Sequence, residues 1–305
     1  MTLPQNFGDW QKQQQAATEV ALDRYLPAAD GDGDGDAASG SNTLHAAMRY
    51  AVLGGGKRVR PLLVQAAGEL FDADAGCLMR AACAIEMMHA YSLVHDDMPC
   101  MDDDALRRGK PTVHVQYGDA TALLVGDALQ SQAFLVLADM AIEPARNVVI
   151  LRLLAQAAGA YGMCGGQAID LASVGQRLSL DQLEQMHRLK TGALLRAAVL
   201  LGAWCGKTLT SRESEALESY ADAIGLAFQV VDDVLDATAD STTLGKTAGK
   251  DAVANKPTYV SILGLPESKQ LAQKLCSDAL NAIAPFGEKA RYLRDLAELI
   301  VQRKA

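Results

Sequence analysis

Apolar residues recur at helical spacing over most of this chain. Apolar positions at i, i+3, i+4 and i+7 predict helices over residues 78–95, 120–140, 148–161, 180–205, 211–235 and 268–284. Another amphipathic helix is predicted from about residue 9 to residue 26, ending before Pro27 because a residue that precedes proline disfavours the helical conformation. No alternating strand pattern persists and no linker divides the chain. The pattern therefore predicts one all-α domain over residues 1–305.

Composition supports helices and excludes several classes of function. Of the 305 residues, 50% are hydrophobic but only 5% are aromatic, which favours helices over sheets. The formal net charge of −9 argues against a nucleic-acid-binding surface. Six scattered cysteines without a CxxC pair are typical of reduced thiols in a cytoplasmic protein, not of disulfides or a zinc site.

The sequence also bears on membrane association. The N-terminal residues are too polar for a signal peptide. The apolar runs are interrupted by Arg152 and Arg196 and look too short to cross a bilayer. We therefore expect no transmembrane segment and a cytoplasmic location.

An Asp/Gly-rich segment at residues 30–42 stands apart from the helical pattern. Its first aspartates and glycines have the offsets of a calcium-binding loop, but the twelfth position is Ser41 where such a loop needs a bidentate glutamate. We therefore interpret residues 30–42 as a flexible surface loop.

Two aspartate clusters carry the chemistry. They are DDMPCMD at residues 96–102 and DDVLD at residues 232–236, and each directly follows an apolar helical segment. Two carboxylates at ~5 Å repel by about 3 kcal/mol at an effective dielectric constant near 20, so a fold that joins the clusters needs cations. Magnesium binds through a few carboxylates plus substrate phosphates, which predicts an enzyme that grips a polyphosphate through Mg²⁺.

Two basic turns accompany the carboxylates. In GGGKRVRP at residues 54–61, three glycines are followed by lysine and arginine residues. LRRGKP at residues 106–111 comes just after the first aspartate cluster. Glycines let a backbone approach a phosphate, while Lys and Arg supply charge and donors. Metal and arginine together suit diphosphate chemistry.

Two other motifs favour different functions. The pairs Glu86–His89 and Glu184–His187 have the Glu-x-x-His spacing of a di-iron helix bundle, but that interpretation gives no role to the aspartate clusters or basic turns. Residues 202–208 resemble a phosphate-binding nucleotide loop, yet have one residue too few between the glycines and no preceding strand.

The order of four sequence segments along the chain resembles a known family. GGGKRVRP, DDMPCMDDDALRRGKPT with its Arg107 and Arg108, LKTGALL at 189–195 and FQVVDDVLD at 228–236 are similar to the short-chain isoprenyl diphosphate synthases, and within them to the bacterial farnesyl group. The resemblance implies a bundle of antiparallel helices around a deep central cavity, usually as a homodimer. It also implies Mg²⁺-dependent condensation of isopentenyl diphosphate with dimethylallyl and geranyl diphosphate to make farnesyl diphosphate.

The resemblance assigns roles position by position. Three Mg²⁺ would be held by Asp96, Asp102 and Asp232, with Asp236 and Asp170 in support. The allylic diphosphate would be bound by Arg107, Lys190 and Lys246. Isopentenyl diphosphate would be bound by Lys57, Arg60, His89 and Arg108. The reacting region would be lined by Thr191, Gln229 and Lys256.

Product length and the rival activities stay open at this stage. One turn before Asp96, Tyr91 and Ser92 would form the floor that stops chain growth, as in the bacterial farnesyl group. A geranyl or geranylgeranyl diphosphate synthase is the nearest alternative. A class I terpene cyclase is less favoured because it has no need for a second diphosphate site at Lys57, Arg60 and His89, and a non-catalytic regulatory subunit is less favoured because both aspartate motifs are intact.

Overall fold

The computed structural model describes residues 6–29, 39–238 and 257–303. The helices, which we number in chain order, are α1 (Phe7–Tyr25), α2 (Ser39–Val52), α3 (Val59–Glu69), α4 (Ala75–Asp96), α5 (Val113–Tyr117), α6 (Asp119–Ala138), α7 (Pro144–Ala158), α8 (Met163–Ala172), α9 (Leu180–His187), α10 (Ala193–Gly206), α11 (Ser211–Thr238), α12 (Tyr259–Leu263), α13 (Leu265–Ile283) and α14 (Arg291–Gln302). A π-helical turn, Arg188–Gly192, joins α9 to α10, and a 3-10 segment, Ala284–Ala290, precedes α14. The predicted all-α fold is confirmed.

Helix ends follow local sequence signals. The side chain of Asn6 accepts a hydrogen bond from the backbone of Asp9 and opens α1, which ends at Tyr25, close to the predicted boundary. Helix α9 opens with a reciprocal capping box between Ser179 and Gln182, as their spacing predicts.

The interpretation of residues 30–42 as a loop is wrong at its C-terminal end. Helix α2 begins at Ser39, so residues 39–42 form its first turn. Serine and asparagine are well tolerated in a first helical turn, and an apolar face that includes buried Ala47, Met48 and Val52 anchors the helix. Residues 30–38 lie outside the described residues, as do Lys246 and Lys256.

Small residues let the central helices approach closely. A Cβ at Gly202 of α10 would lie 2.1 Å from the carbonyl oxygen of Val64 in α3, and one at Gly68 would lie 2.0 Å from Leu78 in α4. Helices α3 and α10 therefore pack backbone to backbone, and the Leu78 side chain of α4 packs onto the backbone of α3, in the principal apolar core. This packing anchors the N-terminal part of α4, the helix whose C-terminal end begins the first aspartate cluster.

The expectation that the apolar runs are too short to cross a membrane is wrong, because three helical segments have sufficient length and hydropathy. Among the described residues, Asp119–Ala138, Pro144–Ala172 and Leu180–Gly206 are long and apolar enough to cross a membrane, with mean hydropathies of 1.4, 1.4 and 1.2. A single arginine in such a segment does not lower its mean hydropathy enough to exclude a span. In this fold the last two segments are broken at residues 159–162 and at the π-helical turn.

A short hairpin carries the second basic turn. Strands β1 (Leu106–Arg107) and β2 (Lys110–Pro111) pair antiparallel, with Arg108 and Gly109 between them. Both linking residues have positive φ, 52° and 75°, as the two central residues of a type I′ turn require. The hairpin therefore holds Arg107 and Arg108 at defined positions beside the end of α4.

Candidate active site

The first aspartate cluster folds back on the end of α4. Asp96 is the last residue of the helix, and the next residues curl beneath it. The backbone N–H of Asp102 donates to the carbonyl oxygen of Asp96 at 2.9 Å, and that of Asp104 donates to Asp97 at 3.1 Å. The turn thus satisfies carbonyls at the helix end and brings Asp102 back towards Asp96.

Burial and charge act against each other in this cluster. Burial raises the pKa of Asp96 to about 6, the charge of Lys190 opposes the rise, and Asp102 adds to it. Asp97 is buried, and Arg107 donates to both its carboxylate oxygens at 2.5 and 2.7 Å. Arg107, predicted to bind diphosphate, is therefore held beside the site by Asp97.

The second aspartate cluster lies on α11. Its Asp232 accepts a hydrogen bond at 2.5 Å from Arg303, whose guanidinium also donates to the carbonyl oxygen of Phe228 at 2.7 Å. The central carbon of the Arg303 guanidinium, Cζ, lies 3.8 Å from the centre of the Phe228 ring. The C-terminal end of the described chain therefore packs onto the second cluster.

Asp233 of the same cluster has a positioning role. Its carboxylate accepts from the backbone N–H of Tyr259 at 2.8 Å and from the amide nitrogen of Gln229 at 3.0 Å. With its nitrogen so engaged, Gln229 presents its amide oxygen, which accepts from the Thr191 hydroxyl at 3.2 Å. The chain thus fixes an oxygen-rich pair, Thr191 and Gln229, on two facing helical elements.

The π-helical turn places Lys190. Its ammonium donates to Asp170 of α8 at 2.5 Å. A Cβ at Gly166 would lie 2.1 Å from the backbone nitrogen of Lys190, so only glycine permits this approach of α8 to the turn. Asp170, Lys190 and Gln229 line one small cavity together. The structure therefore joins residues from three distant parts of the chain.

The basic residues line a neighbouring cavity of about 390 Å³. Lys57, Arg60, His89 and Arg108 all contribute to it. Among the described residues, the buried Nε of Arg60 has no hydrogen-bond partner. Burial, with the charges of Arg60 and Arg108, lowers the pKa of His89 well below its ordinary value, so its ring is neutral.

Three glycines shape the loop that carries Lys57. Gly54, Gly55 and Gly56 have φ values of 102°, 93° and 140°, which side-chain-bearing residues rarely adopt. The guanidinium of Arg108 donates to the carbonyl oxygen of Gly55 at 2.7 Å. A Cβ at Gly56 would lie 2.9 Å from that guanidinium. Glycine therefore allows the hairpin and the loop to meet.

The largest apolar space of the site is a cavity of about 450 Å³ between α4, α8 and the π-helical turn. Arg60, His89, Asp96, Lys190 and Thr191 are part of its lining. Tyr91 and Ser92 of α4 line it too, together with Leu123 and Cys164. The carboxylate of Asp96, the cations of Arg60 and Lys190 and an apolar interior therefore border one space, which suits a ligand with a charged head and a hydrocarbon tail.

The donor chemistry of the two clusters suits a hard divalent cation. Aspartate oxygens supply it, and the half-buried Asp96 is destabilised as an anion by desolvation and by the charge of Asp102. No three acidic, imidazole or thiolate groups gather into a metal site in the ranges 6–29, 39–238 and 257–303. A cation such as Mg²⁺ uses one or two carboxylates and leaves the rest of its coordination to phosphate and water.

Comparisons with known proteins agree with this geometry. The polyprenyl synthetase family model matches residues 41–291. The chain belongs to the polyprenyl synthetase family. A probable farnesyl diphosphate synthase from Bradyrhizobium diazoefficiens is 51% identical over 292 residues, covering 95% of this chain and 86% of the relative.

Solved structures of related synthases have the same fold. An FPP/GFPP synthase from Zymomonas mobilis is 41% identical, with a TM-score of 0.85, covering 97% of this chain and 99% of that one. A geranyltransferase from Helicobacter pylori, complexed with magnesium and isoprenyl diphosphate, is 30% identical, with a TM-score of 0.82 and 98% of each chain covered.

Within this polyprenyl synthetase, three residues escaped the sequence analysis. Arg58 and Asp233 lie inside recognised motifs, but their buried partners are distant in sequence, and only burial distinguishes them from their neighbours. Arg303 lies beyond the residues that the family model matches. Asp102 and Asp236 lie on the cluster elements as expected, and their roles as metal ligands stay predictions.

Proposed function

We propose that the protein is a Mg²⁺-dependent prenyltransferase that condenses isopentenyl diphosphate with dimethylallyl and geranyl diphosphate, with farnesyl diphosphate as its main product. The supporting observation is the shared cavity: Arg60, His89, Asp96 and Lys190 border a single apolar space of about 450 Å³. A prenyl diphosphate needs this combination, because its head is anionic and its tail is a hydrocarbon.

The allylic diphosphate is held between the two aspartate clusters. Asp96, Asp102 and Asp232, supported by Asp236, would hold up to three Mg²⁺, which when bound would neutralise the departing diphosphate. Lys190 adds a cation at the same end, positioned by Asp170 at 2.5 Å. Arg107, bound to Asp97, supplies the guanidinium of the neighbouring hairpin. Lys246 would add a further cation.

The reacting carbon lies near fixed oxygen atoms. Cleavage of the C–O bond leaves positive charge on the allylic group, and the oxygens of Thr191 and Gln229 are held to face it. Asp233 keeps Gln229 oriented by accepting from its amide nitrogen. These dipoles are preorganised, so they stabilise the charge without rearranging.

Isopentenyl diphosphate occupies the basic cavity. Lys57, Arg60 and Arg108 provide charge, and neutral His89 donates a hydrogen bond without adding to the repulsion among the arginines. The unpartnered Nε of Arg60, noted among the described residues, would gain an acceptor from the diphosphate. The released diphosphate is the proposed acceptor of the proton lost after condensation.

Product length follows from the cavity floor. Tyr91 is 4% exposed and lines the space one turn below Asp96, with Ser92 beside it. A growing chain that reaches this ring has no further space, which favours a farnesyl product. A geranylgeranyl synthase needs a deeper floor at this position, so it is the second candidate.

We also propose a homodimer in the cytoplasm. Leu124 and Leu135 are 53% and 59% exposed and, eleven residues apart, share one face of α6, while Val148 of α7 is 61% exposed. Apolar residues grouped on neighbouring helices suit contact with a second copy. All six cysteines are free, as in a reducing compartment.

The test is product analysis by mass spectrometry. Purified protein is incubated with Mg²⁺, isopentenyl diphosphate and dimethylallyl diphosphate, with EDTA as one control and Asp232→Asn as another. We expect farnesyl diphosphate that is lost with EDTA and falls by at least roughly a hundredfold in the variant. A cyclase would instead release a hydrocarbon from the allylic substrate alone. A regulatory subunit would release no prenyl diphosphate.

A further inference from the structure

The hydroxyl of Tyr91 makes one polar contact across the cavity. Its oxygen lies 3.4 Å from Sγ of Cys164, at the start of α8. Tyr91 is buried, whereas Cys164 is exposed and lines the cavity beside it. Burial, and then the bond to Cys164, raises the pKa of Tyr91, so its hydroxyl stays protonated and can donate.

The ring of Tyr91 also contacts His95 of the same helix, which in turn packs on α6. The His95 ring meets the Tyr91 ring edge to face with 5.8 Å between centroids, and Nε2 of His95 lies 3.1 Å from the carbonyl oxygen of Leu123. A Cβ at Gly126 would lie 1.9 Å from that ring nitrogen, so glycine creates the space for His95. The Tyr91 ring thus contacts His95, and its hydroxyl contacts Cys164 of α8.

We propose that Cys164 is a product-length-determining residue, because its thiol holds the Tyr91 hydroxyl and closes the cavity floor between α4 and α8. This inference rests on the proposed prenyltransferase function. The cavity floor is then a contact between α4 and α8. Whether it stays closed depends on the Tyr91–Cys164 hydrogen bond as well as on the size of Tyr91. Without that bond the Tyr91 side chain can rotate about its Cα–Cβ bond, which moves the whole ring and admits one more five-carbon unit.

Position 164 permits a matched pair of variants. Cys164→Ala and Cys164→Ser differ by one hydroxyl and have nearly equal volume, so a comparison isolates the hydrogen bond from cavity size. Cys164 is exposed to the cavity, so truncating it leaves no enclosed void. Cys164→Leu fills space on the same side. Cys276→Ala, in α13 and outside the lining, is the control.

The experiment measures the ratio of twenty-carbon to fifteen-carbon products, with total turnover and thermal stability as companions. We expect Cys164→Ala to raise the ratio roughly fivefold, the effect of losing one neutral hydrogen bond, and Cys164→Ser to keep the wild-type ratio. Cys164→Leu should shift products towards ten carbons. Cys276→Ala should change nothing.

Three results would overturn the inference. Unchanged product ratios in folded Cys164→Ala would show that the contact does not close the floor. Equal shifts in the alanine and serine variants would show that volume, not the hydrogen bond, is responsible. Unchanged length in folded Cys164→Leu would place residue 164 outside the path of the chain. A wild-type protein that makes no prenyl diphosphate would instead refute the proposed function.

Discussion

Replacing Arg58 by methionine should be among the most damaging single changes to the stability of this protein. Arg58 is 4% exposed and has a left-handed backbone, with φ of 47°. Its guanidinium donates to Glu86 at 2.6 Å, to Glu19 at 2.6 Å and to the carbonyl oxygen of Val52 at 2.7 Å. Lys57 and Arg60 of the basic turn flank it, so the same contacts position two proposed substrate ligands.

The magnitude follows from what the substitution leaves behind. Glu86 is 3% exposed and would lose its cationic partner, and removing one partner of a buried pair typically costs about 3–5 kcal/mol. The Glu19 side chain is 32% exposed, so water can replace its contact and that loss adds at most about 1 kcal/mol. We therefore expect the free energy of unfolding to fall by about 3–5 kcal/mol.

Urea unfolding followed by circular dichroism measures this loss, provided that the transition is two-state. Arg58→Met combined with Glu86→Leu should recover most of it, because no charge is then left buried alone. Arg49→Met is the matched control, since its partner Asp23 has a side chain that is 61% exposed, and it should cost about 1 kcal/mol or less. A loss below about 1 kcal/mol for Arg58→Met, or a double variant as unstable as the sum of both singles, would refute the reasoning.

Three further predictions concern stability, assembly and product length. Burial lowers the pKa of His187 from 6.5 to about 4. Between those pH values His187 is protonated in the unfolded chain but not in the native protein. The free energy of unfolding should therefore fall by about 3 kcal/mol as the pH drops through that window. Denaturant titrations at pH 7 and pH 4.5 should show this fall in the free energy of unfolding, and His187→Phe should reduce it. An equal fall in the wild-type protein and the variant would contradict the assignment to His187. Leu135→Glu should convert the proposed dimer to monomers in light scattering, and a persistent dimer would place the interface elsewhere. Tyr91→Ala should give products longer than farnesyl diphosphate, and an unchanged product would remove Tyr91 from the floor.

Helices and motifs were predictable because both are local. The 3.6-residue period of apolar positions and the capping box at Ser179 depend on residues within one or two turns of each other. The aspartate clusters and basic turns were recognisable for the same reason, since each motif is a short run of charged residues. The order of these motifs sufficed to place the chain in its family.

The contacts between motifs could not be read from the chain. Tyr91 and Cys164 are 73 positions apart, and Arg303 and Asp232 are 71 positions apart. The sequence around each residue does not indicate which distant residue it contacts. The early helix start at Ser39 was also missed, because the packing of the apolar face of α2 outweighs weak local preferences there.

The sequence by itself therefore determined the helical class, the family and the charged chemistry of the site. Only the tertiary structure decided how the charges are paired. It places Arg58 in a buried ion cluster, directs the oxygen of Gln229 towards Thr191 and sets Cys164 against the Tyr91 hydroxyl. The physical reason is that pairing and burial depend on which helices pack together, and this is a property of the whole core.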